Sequence, residues 1–472
     1  MSIVRRGRKI SNWVLATRPW AFSASVVPIL AVAGYLGWRG ALGDVTNVAL
    51  SLAVIVLLHA GTDVLSDCKD HESGVDYTGS PNGVTWLHSG LFSVKELRTF
   101  ALSLLALGAG LGLVVAARSA WNVLWIGAAG GLIALGYSLL KYHALGDVAV
   151  FLAFSLLPAL GVGFVSTGHY AVEPVLVALP PGLLTLAILN ANNIRDVRTD
   201  AAAGCRTFPL VCGLRVARAV YVGETVLPYA LVAAFLTVGL VPYAAIGTFL
   251  TLPLAVRNLA ALRRGEMATL DRASAQLQLL FGLLFALAFP LGCLGFWWQL
   301  GLGSVVTGAL ALRFLPQQKP VCWTGEIGLG LLLAAALWGV FWIGDAVSQQ
   351  LFGFVRAQVD AVYALRANAS PLAVGLALAF LIGPAEELFW RGLVQRTLMT
   401  RLGANAGFAL AALAYALVHV WSLNFMLIAA AGVCGLFWGA LYRFFPQRLW
   451  ALVISHAAWD VAVFVLFPIG VG

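Results

Sequence analysis

The chain has 472 residues, of which 61% are hydrophobic and only 10% are charged, and its mean hydropathy is +0.91. Because soluble globular proteins carry about 25% charged residues, this composition excludes a soluble enzyme, a disordered chain and a disulfide scaffold. The apolar runs are continuous and long enough to cross a bilayer as helices, whereas a transmembrane barrel would show short alternating segments. The sequence therefore predicts an all-α, polytopic membrane protein.

About 15 transmembrane helices are predicted from the apolar runs. In chain order they lie near residues 20–38, 45–65, 97–117, 121–140, 147–165, 172–194, 219–240, 241–259, 275–293, 295–313, 325–345, 371–395, 404–421, 425–443 and 450–468. The stretch 313–326 contains two prolines and several polar residues that interrupt the apolar pattern, which predicts a domain boundary there. We accordingly expect one domain over 1–312 and a second over 320–472.

The basic residues predict the sidedness of the chain. With a cytoplasmic N-terminus, Arg39, Arg118, Arg356 and Arg366 are the Lys and Arg residues that fall on the outer side, and the other loop cations fall inside. The net charge of +9 is thus explained by topology, and no nucleic-acid partner is expected. We expect an integral protein of a prokaryotic plasma membrane. The six cysteines are scattered without a C-x-x-C pair, so no disulfide framework or cysteine zinc site is expected.

Two loops on the predicted cytoplasmic side carry closely spaced carboxylates. The text HAGTDVLSDCKDHESGVD contains Asp63, Asp67 and Asp70 on one helical face, and NANNIRDVRTDAAAGCRT contains Asp196 and Asp200 at an i, i+4 spacing. A single pair of this kind is usually a set of solvated charges at a helix end. Two such clusters on the same side of the membrane favour Mg²⁺ ions that bridge a diphosphate.

Residues ~10–300 resemble the UbiA superfamily of intramembrane prenyltransferases, closest to the 1,4-dihydroxy-2-naphthoate polyprenyltransferase branch. The segments TRPWAFSASVVPIL, HAGTDVLSDCKDHESGVD, GVTWLHSGLFS, GYSLLKYHALGD and NNIRDVRTDAAAGCRT carry the resemblance in the order of the family. It implies a nine-helix bundle whose two Asp-rich motifs bind Mg²⁺ and diphosphate. The implied metal ligands are Asp67, Asp70, Asp196 and Asp200, and the implied substrate contacts are Asn192, Asn193, Lys141, Arg195 and Arg206. Asp63 is a possible additional metal ligand, and Tyr137 is a candidate aromatic contact with the substrate.

The resemblance also implies a reaction, the transfer of an isoprenoid chain from a polyprenyl diphosphate to a lipophilic aromatic acceptor such as a hydroxynaphthoate or quinone precursor. Three positions depart from the family pattern. Asp63 and Ser66 stand where asparagine is usual, and Cys205 stands where a lysine is usual. The change at Cys205 removes a cation from the expected diphosphate site, whereas Asp63 adds a potential metal ligand.

The C-terminal apolar segments contain a second set of ionisable residues. Glu386, Glu387 and Arg391 interrupt the run GPAEELFWRGL, while His419 ends AYALVHVW and SHAAWD carries His456 and Asp460. Ionisable groups inside a membrane are costly and mark functional sites by default. A structural alternative keeps only a Glu387–Arg391 ion pair with two polar histidines at helix interfaces.

Residues ~325–468 resemble the CAAX-prenyl-protease and bacteriocin-processing family, called CPBP or Abi, through Glu386–Arg391, Tyr415–His419 and His456–Asp460. The resemblance implies intramembrane proteolysis of a prenylated peptide or protein. Glu386 and His419 would activate water, and His456 with Asp460 would stabilise the oxyanion. Arg391 would orient Glu387. Two glutamates and two histidines could also hold Zn²⁺, so a metal is left open.

The sequence as a whole predicts a Mg²⁺-dependent prenyltransferase fused to a CPBP-type endopeptidase-like domain, both surrounded by membrane lipid. One alternative is a prenyltransferase with a non-catalytic C-terminal domain that binds isoprenoid or stabilises the fold. The other is a transporter or binding protein that uses both folds without chemistry, which the retained aspartates argue against.

Overall fold

The computed structural model describes residues 10–74, 85–315, 320–366 and 369–470. The N-terminal basic residues Arg5, Arg6, Arg8 and Lys9, and Lys319 in the predicted boundary, lie outside this described part. Throughout the described residues the chain is helical, and β-structure is limited to one isolated bridge between His143 and Arg206. The predicted all-α, polytopic fold is confirmed: 13 described helices are long and apolar enough to cross a membrane.

The chain divides into two compact units, residues 1–293 and 294–472. The described part of the first unit contains nine long apolar helices, the number that the sequence predicts for this region. They are α1 (Pro19–Trp38), α2 (Val45–Glu72), α3 (Val94–Arg118), α4 (Trp121–Lys141), α5 (Gly146–Thr167), α6 (Glu173–Arg195), α7 (Leu214–Thr237), α8 (Tyr243–Arg264) and α9 (Leu270–Gly292).

In its described residues the second unit contains four long apolar helices and three further α-helices. The long ones are α11 (Trp323–Leu351), α13 (Pro371–Leu402), α15 (Phe425–Phe444) and α16 (Pro446–Leu466). The others are α10 (Phe296–Phe314), α12 (Val355–Ala364) and α14 (Ala404–Leu417). Of the 15 predicted spans, α10 and α14 are the two that do not meet the length and hydropathy of a full crossing: α14 is short, and α10 begins with two tryptophans and a glutamine.

The division between the units falls between Cys293 and Leu294, earlier in the chain than the predicted boundary at 313–326. The reason is the packing of α10. Gly308 faces Ala385 of α13, and Leu315 lies against Gly392 of the same helix, so α10 belongs to the second unit. Composition could not reveal this, because α10 and α9 are both apolar.

Close helix packing in the first unit depends on small residues. A Cβ atom on Gly282 of α9 would lie 1.9 Å from Cγ1 of Val27 on α1, and one on Gly61 of α2 would lie 2.7 Å from Leu105 on α3. The outward faces remain apolar, with Trp125 79% and Leu132 72% exposed. Such faces would be an association hazard in water and suit lipid.

The loops that carry the predicted motifs are held by local helix-terminal structure. Asp44 caps α2 by accepting a hydrogen bond from the backbone N–H of Thr46 at 2.8 Å, and Ser93 with Glu96 forms a capping box at the start of α3. After α6, two short helices follow, Val197–Ala202 and Phe208–Cys212. The ends of α2, α4 and α6 thereby present polar side chains at defined positions.

Candidate active sites

The first carboxylate motif lies at the end of α2, and each of its last two aspartates has a cationic partner. Asp67 is buried, at 4% exposure, and forms an ion pair with Arg18. Asp70 accepts a bond from Nζ of Lys141 at 2.9 Å and another from the hydroxyl of Tyr142. The predicted carboxylate face of α2 therefore exists, and cations from two other segments of the first unit neutralise it.

Asp63 lies one turn deeper on the same helix and contacts a histidine. Oδ2 of Asp63 is 3.5 Å from Nε2 of His59, and Nδ1 of His59 is 2.9 Å from the hydroxyl of Ser25 on α1. The His59 ring also packs against Phe154, with the ring centroids 4.4 Å apart. Asp63 thus extends the acidic face of α2 into a buried polar network.

The second carboxylate motif is organised by Arg195 at the end of α6. Nε of Arg195 is 2.8 Å from Oδ1 of Asp196, and NH2 is 2.8 Å from Oδ2 of the same carboxylate. The same guanidinium donates to Asn192 and, through NH1, to Asp271 in the first turn of α9. Such a forked pair fixes the orientation of the carboxylate as well as its charge.

Two observations bring the loops after α4 and α6 together. A parallel backbone bridge joins His143 to Arg206. The electrostatic surroundings of Asp200 also include Asp70 and Lys141. Burial raises the pKa of Asp200 to about 6; the charges of Asp196 and Asp70 act in the same direction, and Lys141 opposes them.

The remaining predicted substrate contacts differ in their setting. Asn193 is buried, Tyr137 is half-buried on α4, and Arg206 is exposed beside the backbone bridge. Arg195, which the resemblance assigns to the diphosphate, bonds to three side chains of the protein. One of them, Asp271, comes from a helix 76 residues further along the chain.

The donor set of these loops fits Mg²⁺, because its potential ligands are carboxylate oxygens, the donors this ion prefers. In the described part of the chain, no three acidic, histidine or cysteine side chains stand ready to hold a metal ion as they are. The reason is visible in the ion pairs: Asp67, Asp70 and Asp196 are turned toward Arg18, Lys141 and Arg195. A metal would have to compete with these cations for the oxygens.

Sequence reasoning missed three residues of this region. Arg18 lies within TRPW, where it resembles any other loop cation, Asp271 lies outside the motifs that carry the resemblance, and His59 lies in an apolar helix. A following proline favours an extended backbone, so the left-handed conformation of Arg18, with φ 52°, could not be predicted from the sequence. His59 did carry a signal, since it lies four residues before Asp63.

In the second unit, Glu387 is the centre of a buried network on α13. It is 0% exposed, and its Oε1 lies 2.8 Å from NH1 of Arg391 and 2.9 Å from Nδ1 of His456. Because a carboxylate can only accept, Nδ1 of His456 carries the proton in this bond. The guanidinium of Arg391 also donates to the carbonyl of Cys434 at 3.1 Å.

The other carboxylates approach the opposite nitrogen of the imidazole. Nε2 of His456 is 3.6 Å from Oδ2 of Asp460 and 3.9 Å from Oε2 of Glu386. Glu386 in turn accepts a 3.0 Å bond from the hydroxyl of Tyr415 on α14. The structure thus brings together Glu386, Glu387, Arg391, His456 and Asp460, which the sequence places on two separate segments.

His419 is the predicted member that stands apart. Its Nδ1 is 2.9 Å from the carbonyl oxygen of Tyr415, and its ring lies 5.6 Å from the Tyr415 ring, centroid to centroid. Within the described residues no hydrogen bond joins it to Glu386 or Glu387. The cause is its place beyond the end of α14, which stops at Leu417.

Local helix geometry and aromatic packing shape the second network. Segments of π-helix, Leu378–Ile382 and Leu388–Gln395, flank the turn that carries both glutamates, and π-bulges are frequent at functional sites. The ring of Trp438 stacks on His456 with centroids 4.0 Å apart. Because His419 bonds to the carbonyl of Tyr415 and stands apart from both glutamates, the described residues give the open zinc alternative no support.

Comparisons with known proteins agree with this division of the chain. Residues 25–277 match the model of the UbiA prenyltransferase family, and residues 368–462 match that of the type II CAAX prenyl endopeptidases, Rce1-like. The UbiA prenyltransferase domain-containing protein 1 of Gallus gallus is 29% identical over 296 residues, covering 61% of this chain and 87% of that protein.

Two further relatives were found. The 1,4-dihydroxy-2-naphthoate octaprenyltransferase of Mycobacterium tuberculosis is 31% identical over 265 residues, covering 54% of this chain and 87% of that protein. A solved UbiA homologue from Archaeoglobus fulgidus, bound to GPP and Mg²⁺, covers 58% of this chain and 99% of its own with 16% identity and a TM-score of 0.40. The chain therefore belongs to the UbiA prenyltransferase family, and it carries a C-terminal Rce1-like CAAX endopeptidase domain.

Proposed function

We propose that the first unit transfers a polyprenyl group from its diphosphate to a lipophilic aromatic acceptor, a hydroxynaphthoate or related quinone precursor. The observation that carries the proposal is the convergence of the two acidic motifs on the end of α4: Asp70 pairs with Lys141, the His143–Arg206 bridge joins the next residues to the loop after α6, and Asp200 shares its surroundings with Asp70 and Lys141. The relative named as a naphthoate octaprenyltransferase supports the aromatic acceptor. The cytoplasmic N-terminus and the prokaryotic plasma membrane remain part of this proposal.

In this proposal Asp67, Asp70, Asp196 and Asp200 hold Mg²⁺ with the donor diphosphate, and Asp63 is available as an additional ligand. Bound Mg²⁺ supplies positive charge that stabilises the leaving diphosphate. Lys141 and Arg18, which pair with two of these carboxylates, would then bind phosphate oxygens and add to that stabilisation. Aromatic side chains such as Phe22 can stabilise the allylic cation from the apolar side.

The test is an assay in membranes with a labelled polyprenyl diphosphate and a panel of acceptors. We expect the label in a hydroxynaphthoate or another aromatic acceptor, dependent on Mg²⁺, and we expect Asp67→Asn and Asp200→Asn to abolish it. Glu72→Gln is the matched control, because Glu72 ends the same helix and pairs with Arg98 on the surface. If the label enters only a glycerophosphate lipid, the proposal of an aromatic acceptor is wrong.

A second activity, endopeptidase cleavage of a prenylated peptide, is favoured by the network around His456. Glu386, at 3.9 Å from Nε2 of His456 and bonded by Tyr415, is the carboxylate best positioned to activate a water molecule as general base. Glu387 is committed to Arg391 and acts on the orientation of His456. His419, one turn beyond Tyr415, would have to approach from the adjacent helix end as peptide binds.

The experiment is cleavage of a farnesylated CAAX peptide by the full chain. Glu386→Ala should remove cleavage and leave prenyl transfer unchanged, since the two activities belong to separate units. If Glu386→Ala instead lowers prenyl transfer, or the wild-type chain cleaves no prenylated peptide, the C-terminal domain is the non-catalytic isoprenoid-binding or stabilising domain of the alternative.

A further inference from the structure

Arg195 meets two carboxylates, and only one of them belongs to a predicted motif. Two of its nitrogens fork over Asp196, at 2.8 Å each, while NH1 turns away to Asp271. The three side chains are mostly buried, with exposures of 11% for Arg195, 14% for Asp196 and 18% for Asp271. Arg195 is thus shared between the second carboxylate motif and α9.

Asp271 has the capacity for a further hydrogen bond. Its Oδ2 accepts from Arg195, whereas its Oδ1 is buried and has no hydrogen-bond partner among the residues that the structure describes. Asp271 also stands in the first turn of α9, where the helix N-terminus favours a carboxylate. Oδ1 of Asp271 can therefore accept hydrogen bonds from the N–H groups of Arg195 when these leave Asp196.

We propose that Asp271 is a positioning residue for the second carboxylate motif: it retains Arg195 when Asp196 turns to Mg²⁺. This inference rests on the proposed Mg²⁺-dependent transfer and deepens it. Without Asp271, release of Asp196 would leave a mostly buried guanidinium with its main partner lost, which is strongly unfavourable. With Asp271, the guanidinium exchanges one forked carboxylate for another.

Asp271 also gives Arg195 a role different from the diphosphate contact that the resemblance implies. A guanidinium held by Asp271 stays on the protein and does not bind the diphosphate, which leaves that task to Lys141 and Arg18. Loss of Asp271 should then weaken Mg²⁺ binding, because Arg195 would compete for Asp196 with its undivided charge. The expected rise in the Mg²⁺ midpoint is on the order of tenfold, the usual size for a hydrogen bond to a charged group.

The experiment measures Mg²⁺-dependent thermal stabilisation of the detergent-solubilised full chain in the presence of unreactive geranyl S-thiodiphosphate. Asp271→Asn should raise the Mg²⁺ midpoint about tenfold, and in turnover it should raise the KM for Mg²⁺ with little change in kcat at saturating Mg²⁺. Asp271→Glu, which keeps the charge, should restore most of the affinity. Glu266→Gln is the matched control, since Glu266 pairs with the nearby surface Arg264.

A wild-type midpoint in Asp271→Asn overturns the inference alone. A wild-type chain that gains no stability from Mg²⁺ overturns the proposed function together with it. Should Asp271→Asn fail to fold, the double variant Arg195→Gln/Asp271→Asn decides, because it removes the buried guanidinium together with the carboxylate that retains it. A near wild-type midpoint supports the inference, and a midpoint raised about tenfold shows that Arg195 is itself a substrate contact.

Discussion

Nδ1 of His456 lies 2.9 Å from Oε1 of Glu387, the same oxygen that is 2.8 Å from NH1 of Arg391. One carboxylate oxygen of Glu387 thus contacts both His456 on α16 and Arg391, which lies one turn after Glu387 on α13. The arrangement orients the imidazole so that its other nitrogen faces Asp460 and Glu386. Removing Glu387 would therefore affect the fold and the site together.

Glu387→Ala should destabilise the second unit by about 3–5 kcal/mol, because it leaves the buried Arg391 charge without its partner. Glu387→Gln should cost less, since the amide oxygen can still accept from Arg391 or His456. Thermal unfolding followed by tryptophan fluorescence measures both, with Trp438 on the His456 ring as a local probe. Glu386→Gln is the control, at 25% side-chain exposure, and should change stability little. An equal loss of stability in all three variants would contradict this order of effects.

The packing of α1 against α9 gives a second stability prediction. A methyl group on Gly282 would lie 1.9 Å from Cγ1 of Val27, and a β-branched side chain on a packed helix has little freedom to move away. Gly282→Ala should destabilise the first unit by about 1–3 kcal/mol, the usual cost of overpacking.

The control for this substitution is Gly223→Ala on α7, where a Cβ atom meets nothing within 4 Å. We expect Gly223→Ala to leave the thermal unfolding temperature unchanged or slightly raised, because alanine favours the helix. The double variant Gly282→Ala/Val27→Ala should recover part of the lost stability. No recovery would indicate that the cost arises elsewhere in the helix pair.

Much of this architecture could be read in the linear sequence, because hydropathy, charge bias and motif spacing are local signals. The nine helices of the first unit and the acidic face of α2 are of this kind. The partner of Arg195 was not predictable, since Asp271 follows 76 residues later and carries no motif of its own. The membership of α10 in the second unit likewise depends on which face packs, which an apolar run does not specify.

Asp200 should make its own contribution to the pH dependence of the metal-free first unit. Burial raises its pKa from 3.8 to about 6, so the ionised form is less favourable in the folded chain than in the unfolded one. The sign is therefore the reverse of a salt-bridged aspartate: stability falls as pH rises from about 4 to about 6 and stays lower above it.

Asp200→Asn should remove this contribution and raise the unfolding temperature in EDTA above pH 6 by a few degrees, at about 2–4 °C per kcal/mol for a domain of this size. Below pH 4 the variant and the wild type should unfold alike. Thermal scans in EDTA between pH 4 and pH 8 measure the difference. A gap between the two that is constant across this range would show that the carboxylate does not titrate there.

Arg18 supplies the last prediction, since its backbone and its side chain point to one role. The residue adopts a left-handed conformation, φ 52° and ψ 58°, which costs a non-glycine residue about 1–2 kcal/mol, and its guanidinium pairs with the buried Asp67. Strain of this kind persists where the surrounding structure requires it. We expect Arg18→Ala to raise the KM for the prenyl diphosphate about 10–100-fold, the equivalent of one or two hydrogen bonds to a charged group.

Arg18→Gly, which relieves the backbone strain, should stabilise the chain relative to Arg18→Ala without restoring the KM. Arg98→Ala is the control, because Arg98 pairs with Glu72 at the exposed end of α2, the helix that carries Asp67. This variant should leave the KM unchanged. A KM in Arg18→Ala equal to that of the control would show that Arg18 only neutralises Asp67 in the absence of substrate.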